Sequence, residues 1–285
     1  MGGAFFYCLK GRLMSASPTS HQSSHEAKPL SCAQIKSLFD ACQFDDLPAF
    51  IAAHETDSRK QIQTLVARAR RQQAKELAER QRVMGMYETM RSLGGDGVVI
   101  GVDEVGRGPL AGPLTVAAVA LRSDDPIWGI NDSKQLTPET REHLAAQIKE
   151  RALAWGICHI PPAQIDERGM AACLHAAMLQ AVENTGLEPD SVLIDGVPLH
   201  IHPKETCIVK GDAKVACIAA ASIVAKVARD TMMCEAAKLY PDYGFEQNKG
   251  YGSAEHIAAI ERIGLSPIHR RSFCRNFTLP QTTTE

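Results

Sequence analysis

The chain has 285 residues, 45% of them hydrophobic and 22% charged, and a formal net charge of −2 at pH 7. That length allows one large domain or a domain with an appendage, no apolar run approaches the roughly 20 residues of a membrane span, and the near-neutral balance means that any nucleic-acid contact must come from local charge. Nine cysteines, an odd number without a C-x-x-C pair, argue against a disulfide framework and a zinc knuckle, and fit a reduced, cytoplasmic protein.

Residues 1–30 are rich in Ser, His, Gly and Pro and show no period, so disorder is expected there. Their apolar stretch is too short for a signal peptide, and Met14 is an alternative start. From Ser31 to about Met90 the pattern turns helical. SCAQIKSLFDACQ and DDLPAFIAAHETD read as short amphipathic segments, and RKQIQTLVARARRQQAKELAERQRVMGMYETM as one long helix. Between Arg59 and Arg82 this helix carries eight Lys/Arg against Glu76 and Glu79, which fits a solvated face or a nucleic-acid contact equally well. The run Ser92–Gly97 is a flexible break. The expected organisation is a disordered 1–30, a helical and partly basic extension 31–95, a catalytic domain 96–275 with a helical C-terminal part, and a tail 276–285.

After the break, strands and helices alternate. Val98–Val102 and Leu114–Leu121 suit strands joined by a bend too short for a crossover helix, hence an antiparallel hairpin. Thr137-Pro138 is an N-cap with proline at the first helical position, opening a helix to about Leu153. Trp155–Ile160 suits a strand and Ala163–Glu183 one helix. Ser191–Asp195 and Thr206–Lys210 are strands, Asp212 to about Lys238 a long alanine-rich helix, and Ser253–Ile263 a shorter one. The fold class is α/β, a mixed sheet flanked by helices.

Asp103 and Glu104 end the first strand, Asp195 ends another in LIDG, and Asp212 follows a third in VKGDAK. Acids at strand ends of an open α/β sheet gather along one edge, where such folds bind ligands. Close, unpaired carboxylates repel one another, so the cluster needs a hard cation, and oxygen ligands suit Mg2+ or Mn2+. Taken singly, Asp195 and Asp212 also fit strand-end caps or Asx-turns. Asp230 competes with Asp212, but they are eighteen positions apart, about five turns and roughly 27 Å of a straight helix, so only one serves. Asp212 lies beside the strand ends, and Asp230 is read as structural.

GRGPLAG has the glycines of a dinucleotide loop, yet Pro113 leads into a β-branched run where that fingerprint needs a helix. The alternative is close approach of glycine backbone to a sugar-phosphate strand, with Arg107 forking onto a phosphate. Farther on, NKGYGS and HRRSFCR offer polar groups to such a strand, and Tyr251, between two glycines, suits stacking on a sugar or a bond to a 2′-hydroxyl. His200 and His202 read as a solvated loop, and His269 as a surface residue.

GVDEVGRGPLAGP, NDSKQL, LIDG, VKGDAK, AAASIVAKVARD, YGFEQNKGYGS and HRRSF, in this order from about Val98 to Phe273, resemble the bacterial ribonuclease HII family. The resemblance implies a ribonuclease H-like fold, cleavage of the RNA strand of RNA–DNA hybrids and incision 5′ of single ribonucleotides embedded in duplex DNA, with a place in ribonucleotide excision repair and DNA replication. It carries the catalytic and metal-binding roles onto Asp103, Glu104, Asp195 and Asp212, ribonucleotide sensing onto Gly106, Arg107 and Gly108, and ribose packing onto Tyr251. The chain departs from many members at Asn248, where they have His, at Gly169, where they have Asn, and in CIAAAS. The expected chemistry is hydrolysis assisted by two divalent ions, leaving 3′-hydroxyl and 5′-phosphate ends, by a monomer with no membrane attachment. The rivals are a type 3 ribonuclease H, which needs several consecutive ribonucleotides; a non-catalytic adaptor binding through residues 59 to 82; and a nucleotide-binding oxidoreductase, disfavoured by the geometry after Gly112.

Overall fold

The computed structural model describes residues 29–277. The expected N-terminal disorder, the alternative start at Met14 and most of the tail fall outside them, as does Cys8. The described cysteines are all free. No helix among the described residues is long and apolar enough to cross a membrane.

The chain divides into two compact units, one up to Gln73 and one from Ala74. In the first, α1 (Cys32–Ala41) opens on Ser31 with a reciprocal Ser31–Gln34 capping box, and α2 (Leu47–His54) follows. Ile35, Phe39, Leu47, Phe50, Ile62 and Val66 form its core. The long helix α3 (Lys60–Gly94) begins in this unit and ends in the second, so the compact division falls inside the helix, upstream of the Ser92–Gly97 break.

The second unit is built on β1 (Val99–Val105), β2 (Leu114–Ala120), β3 (Ala154–Ile160), β4 (Ser191–Asp195) and β5 (Glu205–Ile208), in the order β3-β2-β1-β4-β5. The β1–β2 hairpin is antiparallel, as its short bend requires, and β1, β4 and β5 run parallel. Side chains alternate between two buried faces. Ala117, Val119 and Leu193 pack with α4 (Pro138–Arg151), α7 (Ala216–Leu239) and the second half of α3, while Val116, Ala118, Val192 and Ile194 pack with α5 (Pro162–Arg168) and α6 (Met170–Glu183). With both faces covered, the carboxyl ends of β1, β4 and β5 are where this sheet has room for chemistry.

Two expected elements differ. The single helix over Ala163–Glu183 is broken at Gly169, whose φ of 78° and ψ of 156° lie in a region essentially reserved for glycine, so α5 stops and α6 restarts one residue later. The helix expected from Asp212 begins instead at Ala216; Asp212 sits in a 3-10 turn, Gly211–Ala213, behind Lys210 in a left-handed conformation. The C-terminal part adds α8 (Phe245–Asn248) and α9 (Ala254–Ile263), the latter capped by Ser253.

Candidate active site

Three of the four expected acids meet. Asp103, Asp195 and Asp212 each offer an oxygen, and these oxygens lie within 4.8 Å of one another. Register accounts for two: Val102 pairs with Ile194, so Asp103 and Asp195 are the next positions on neighbouring parallel strands and share a face. Asp195 Oδ1 accepts the Gly211 N–H at 2.7 Å, which ties the β4 end to the turn carrying Asp212. Glu104, one step along β1, points to the other face. There it pairs with Arg107 at 3.2 Å beside a cleft of about 360 Å3 lined also by Met170, Leu174, Met178 and Asp195.

Charge is crowded at this edge. Burial, then the negative charges of Glu104 and Asp195, hold the Asp103 pKa well above the usual carboxylate range. Burial also raises Glu104, against the pull of Arg107, and burial with Asp132 and Asp195 raises Asp212. Lys134 stands 3.9 Å from both Asp212 and Asp132. Although partial burial opposes it, the field of these acids raises the lysine's pKa. Buried, mutually repelling oxygens of this kind are the donor set of a hard divalent cation, so the residues present fit such an ion. Asp230 is absent from the group and pairs with Lys226 at 2.7 Å. His200 and His202 join no metal-ligating group among the described residues either.

The glycine-arginine loop is held from behind. Gly106 has a φ of 93°, and a Cβ there would come within 2.4 Å of Arg229 Nε and 2.7 Å of the Pro113 carbonyl, so only glycine fits. Arg229, fully buried, donates to the carbonyls of Pro113 (3.0 Å) and Ala111 (3.2 Å). Arg270, equally buried, donates to the carbonyls of Gly106, Arg107 and Gly112. Arg107 itself is exposed. Tyr251 is 44% exposed, its ring across the Arg229 guanidinium at 5.7 Å. Asn248 shapes its turn, donating to the Tyr243 carbonyl and accepting from Gly250 N–H, each at 2.7 Å. Non-glycine residues with positive φ among the described residues are His200, Lys210 and Lys249; the last two stand two residues before Asp212 and Tyr251.

A family model described as ribonuclease HII matches residues 100–276, and one described as the ribonuclease HII N-terminal domain matches 31–93. The ribonuclease HII of Bacillus cytotoxicus is 45% identical over 219 residues, covering 76% of this chain and 85% of the relative. That of Bacillus licheniformis is 42% identical over 248 residues, covering 86% and 97%. The chain belongs to the ribonuclease HII family. Among solved structures, ribonuclease H2 from Pyrococcus horikoshii superposes with a TM-score of 0.55 at 27% identity over 63% of this chain and 96% of that one. The Archaeoglobus fulgidus ribonuclease HII solved in complex with PCNA has the same score at 25% identity, over 65% and 98%. The fold is thus ribonuclease H-like, and the chain is a hydrolytic ribonuclease of the class that acts on RNA–DNA hybrids.

Within this ribonuclease HII fold, the sequence misplaced His269 and Arg270. The expected surface histidine is 3% exposed, and Arg270 beside it, expected to face a nucleic-acid strand, is fully buried. Both are taken up by the loops they hold. Nothing in the sequence around Lys134, in NDSKQL, or Arg229, in AAASIVAKVARD, marks the first as the neighbour of Asp212 or the second as a buried donor to the Pro113 and Ala111 carbonyls.

Proposed function

We propose that this chain cleaves the RNA strand of RNA–DNA hybrids and incises duplex DNA 5′ of a single embedded ribonucleotide, so serving ribonucleotide removal. In this reading Asp103, Glu104, Asp195 and Asp212 hold Mg2+ or Mn2+, Gly106, Arg107, Gly108 and Tyr251 read the ribose, and residues 96–275 are the catalytic domain. The observation that carries it is the trio of carboxylates from β1, β4 and the turn after β5 within 4.8 Å.

Divalent cations held by Asp103, Glu104, Asp195 and Asp212 would supply Lewis acidity to a water attacking in line and to the departing 3′-oxygen, a reaction that would leave 3′-hydroxyl and 5′-phosphate ends. The chain does the rest. Asp103 and Asp195 are fixed by strand register, and Asp212 by the Lys210–Gly211 turn. Glu104, released from Arg107 when that guanidinium turns to a phosphate, supplies a fourth carboxylate from the opposite face of β1. Lys134 places a positive charge beside Asp212, where phosphate oxygens gain charge. The Gly106–Gly108 backbone and the Tyr251 ring test for one hydroxyl per nucleotide.

Purified protein with Mg2+ or Mn2+ and a labelled duplex carrying one ribonucleotide is expected to yield one cut on its 5′ side with a 3′-hydroxyl and a 5′-phosphate. Cleavage confined to runs of ribonucleotides, or undiminished by a chelator, would overturn the reading.

A further inference from the structure

Tyr251 and the Gly106–Gly108 loop come from distant parts of the chain, yet reading one hydroxyl between them demands placement to within about 0.5 Å. A row of hydrogen bonds behind Tyr251 supplies a fixed reference. Ser266 N–H meets His269 Nδ1 at 2.9 Å, with the Ser266 hydroxyl at 2.7 Å. His269 Nε2 faces His256 Nε2 at 3.0 Å, and His256 Nδ1 faces the Tyr251 carbonyl at 2.8 Å.

The two ends of the row decide its protons. A backbone N–H only donates and a carbonyl only accepts, so His269 carries its proton on Nε2 and gives it to His256 Nε2, while His256 carries its own on Nδ1 and gives it to Tyr251. Each ring is neutral, and a further proton on either leaves an N–H facing an N–H. Both rings are buried, at 0% and 3% exposure, among Tyr243 and Phe245. Burial pushes both pKa values down, that of His269 to about 4.

The same segment grips the other half of the reader. His269 bridges Ala111 across a short antiparallel contact, Gly112 N–H donates to the Ile268 carbonyl, and Leu110 and Ala111 N–H donate to the Gly250 carbonyl beside Tyr251. Arg270, the next residue, holds the carbonyls of Gly106, Arg107 and Gly112.

We propose that His256 and His269 are positioning residues for ribose recognition: their fixed pair of tautomers locks the Tyr251 backbone to the segment that holds the Gly106–Gly108 loop, and so sets the discrimination for a single ribonucleotide. The proposal rests on the reading that Tyr251 and this loop contact the ribose.

Two amides of different reach test it. His256→Asn keeps a donor where Nδ1 stands, toward Tyr251, and His256→Gln keeps an amide where Nε2 stands, toward His269, but strips the donor from Tyr251. The readout is kcat/KM on a one-ribonucleotide duplex divided by kcat/KM on a duplex with a run of ribonucleotides. His256→Gln is expected to lower this ratio about tenfold, the worth of one buried hydrogen bond, with His256→Asn within about threefold of the parent. In a Tyr251→Ala background, His256→Gln is expected to lower the ratio no further, since the ring it positions is gone. Melting temperatures establish folding, and if His256→Gln does not fold, His269→Asn, which keeps an acceptor where Nδ1 meets Ser266 but strips the donor from His256, takes its place with the same expected loss. Equal losses on both substrates, no loss, or full additivity with Tyr251→Ala in folded protein overturns the proposal. Tyr251→Ala that leaves the ratio unchanged overturns instead the reading beneath it.

Discussion

Asp103 is 5% exposed and shares its surroundings with Asp195 and Asp212, so its charge is opposed by burial and by its neighbours together. The sign follows: its folded pKa is raised, the folded state binds the extra proton, and without a cation its contribution to stability is lost as pH rises through that raised value. Replacing the charge with a neutral isostere removes the conflict along with the proposed metal ligand. Asp103→Asn keeps an oxygen to accept Glu104 N–H, a bond of 2.7 Å in the parent. It is expected to lose cleavage by about 10^3-fold or more while gaining about 1 kcal/mol of stability in metal-free buffer. Activity and melting temperature measured side by side check both halves; a variant less stable than the parent without metal would sink the repulsion argument. These acids were legible in sequence because each follows a short apolar strand, a local pattern. Arg229, Arg270, His256 and His269 were not. Whether an arginine faces solvent or spans three carbonyls is decided by partners far along the chain, and HRRSF offers the same letters for either outcome.

The β1–β2 hairpin shows what an element needs beyond its own pattern. Its strands were readable from their apolar runs, but the bend at Gly106–Gly112 directs its carbonyls inward, and Arg270 answers three of them at once with a planar fork. Burial pushes the Arg270 pKa down to about 10, leaving the guanidinium charged at neutral pH. Arg270→Lys preserves charge but not the fork, so at least one carbonyl is stranded. A loss of about 1–3 kcal/mol is expected, with faster amide exchange in the loop; unfolding by urea and exchange at Leu110 and Gly112 measure it, and protection equal to the parent's would show that the fork is dispensable. In α3 the basic run resolves largely into local partners. Arg59 pairs with Asp57, Arg70 with Glu55, Arg80 with Glu76 and Arg82 with Glu79, and Arg68 lies over Phe39. Those partners favour the solvated-face reading over most of its length. The break at Gly169 escaped notice for a different reason: a lone glycine is tolerated inside a helix, and only its φ of 78° reveals a stop.

For the molecule as a whole, two sets of buried titrating groups work in opposite senses. His256 and His269 have lowered pKa values, that of His269 at about 4, so the unfolded chain binds more protons than the folded one as pH falls below about 6.5, the ordinary histidine value, and stability declines by up to about 1.4 kcal/mol per pH unit for each such proton. Asp103, Glu104 and Asp212 have raised values, so in the metal-free protein their contribution declines in the other direction, as pH rises. A divalent cation relieves only the second set, because it binds carboxylates in their charged form and competes with protons for them. Saturating Mg2+ or Mn2+ is therefore expected to raise the melting temperature by several degrees at pH 8, about 2.7 kcal/mol at a hundredfold excess over Kd, and by less at pH 5, where protons compete more strongly for the acids whose pKa values are raised. The acid-side decline set by the histidines should persist with metal present. Melting curves at the two pH values, with cation and with chelator, give the four numbers required. A metal effect that is equal at both values would mean that the carboxylates of β1 and of the turn after β5 are not what the cation stabilises.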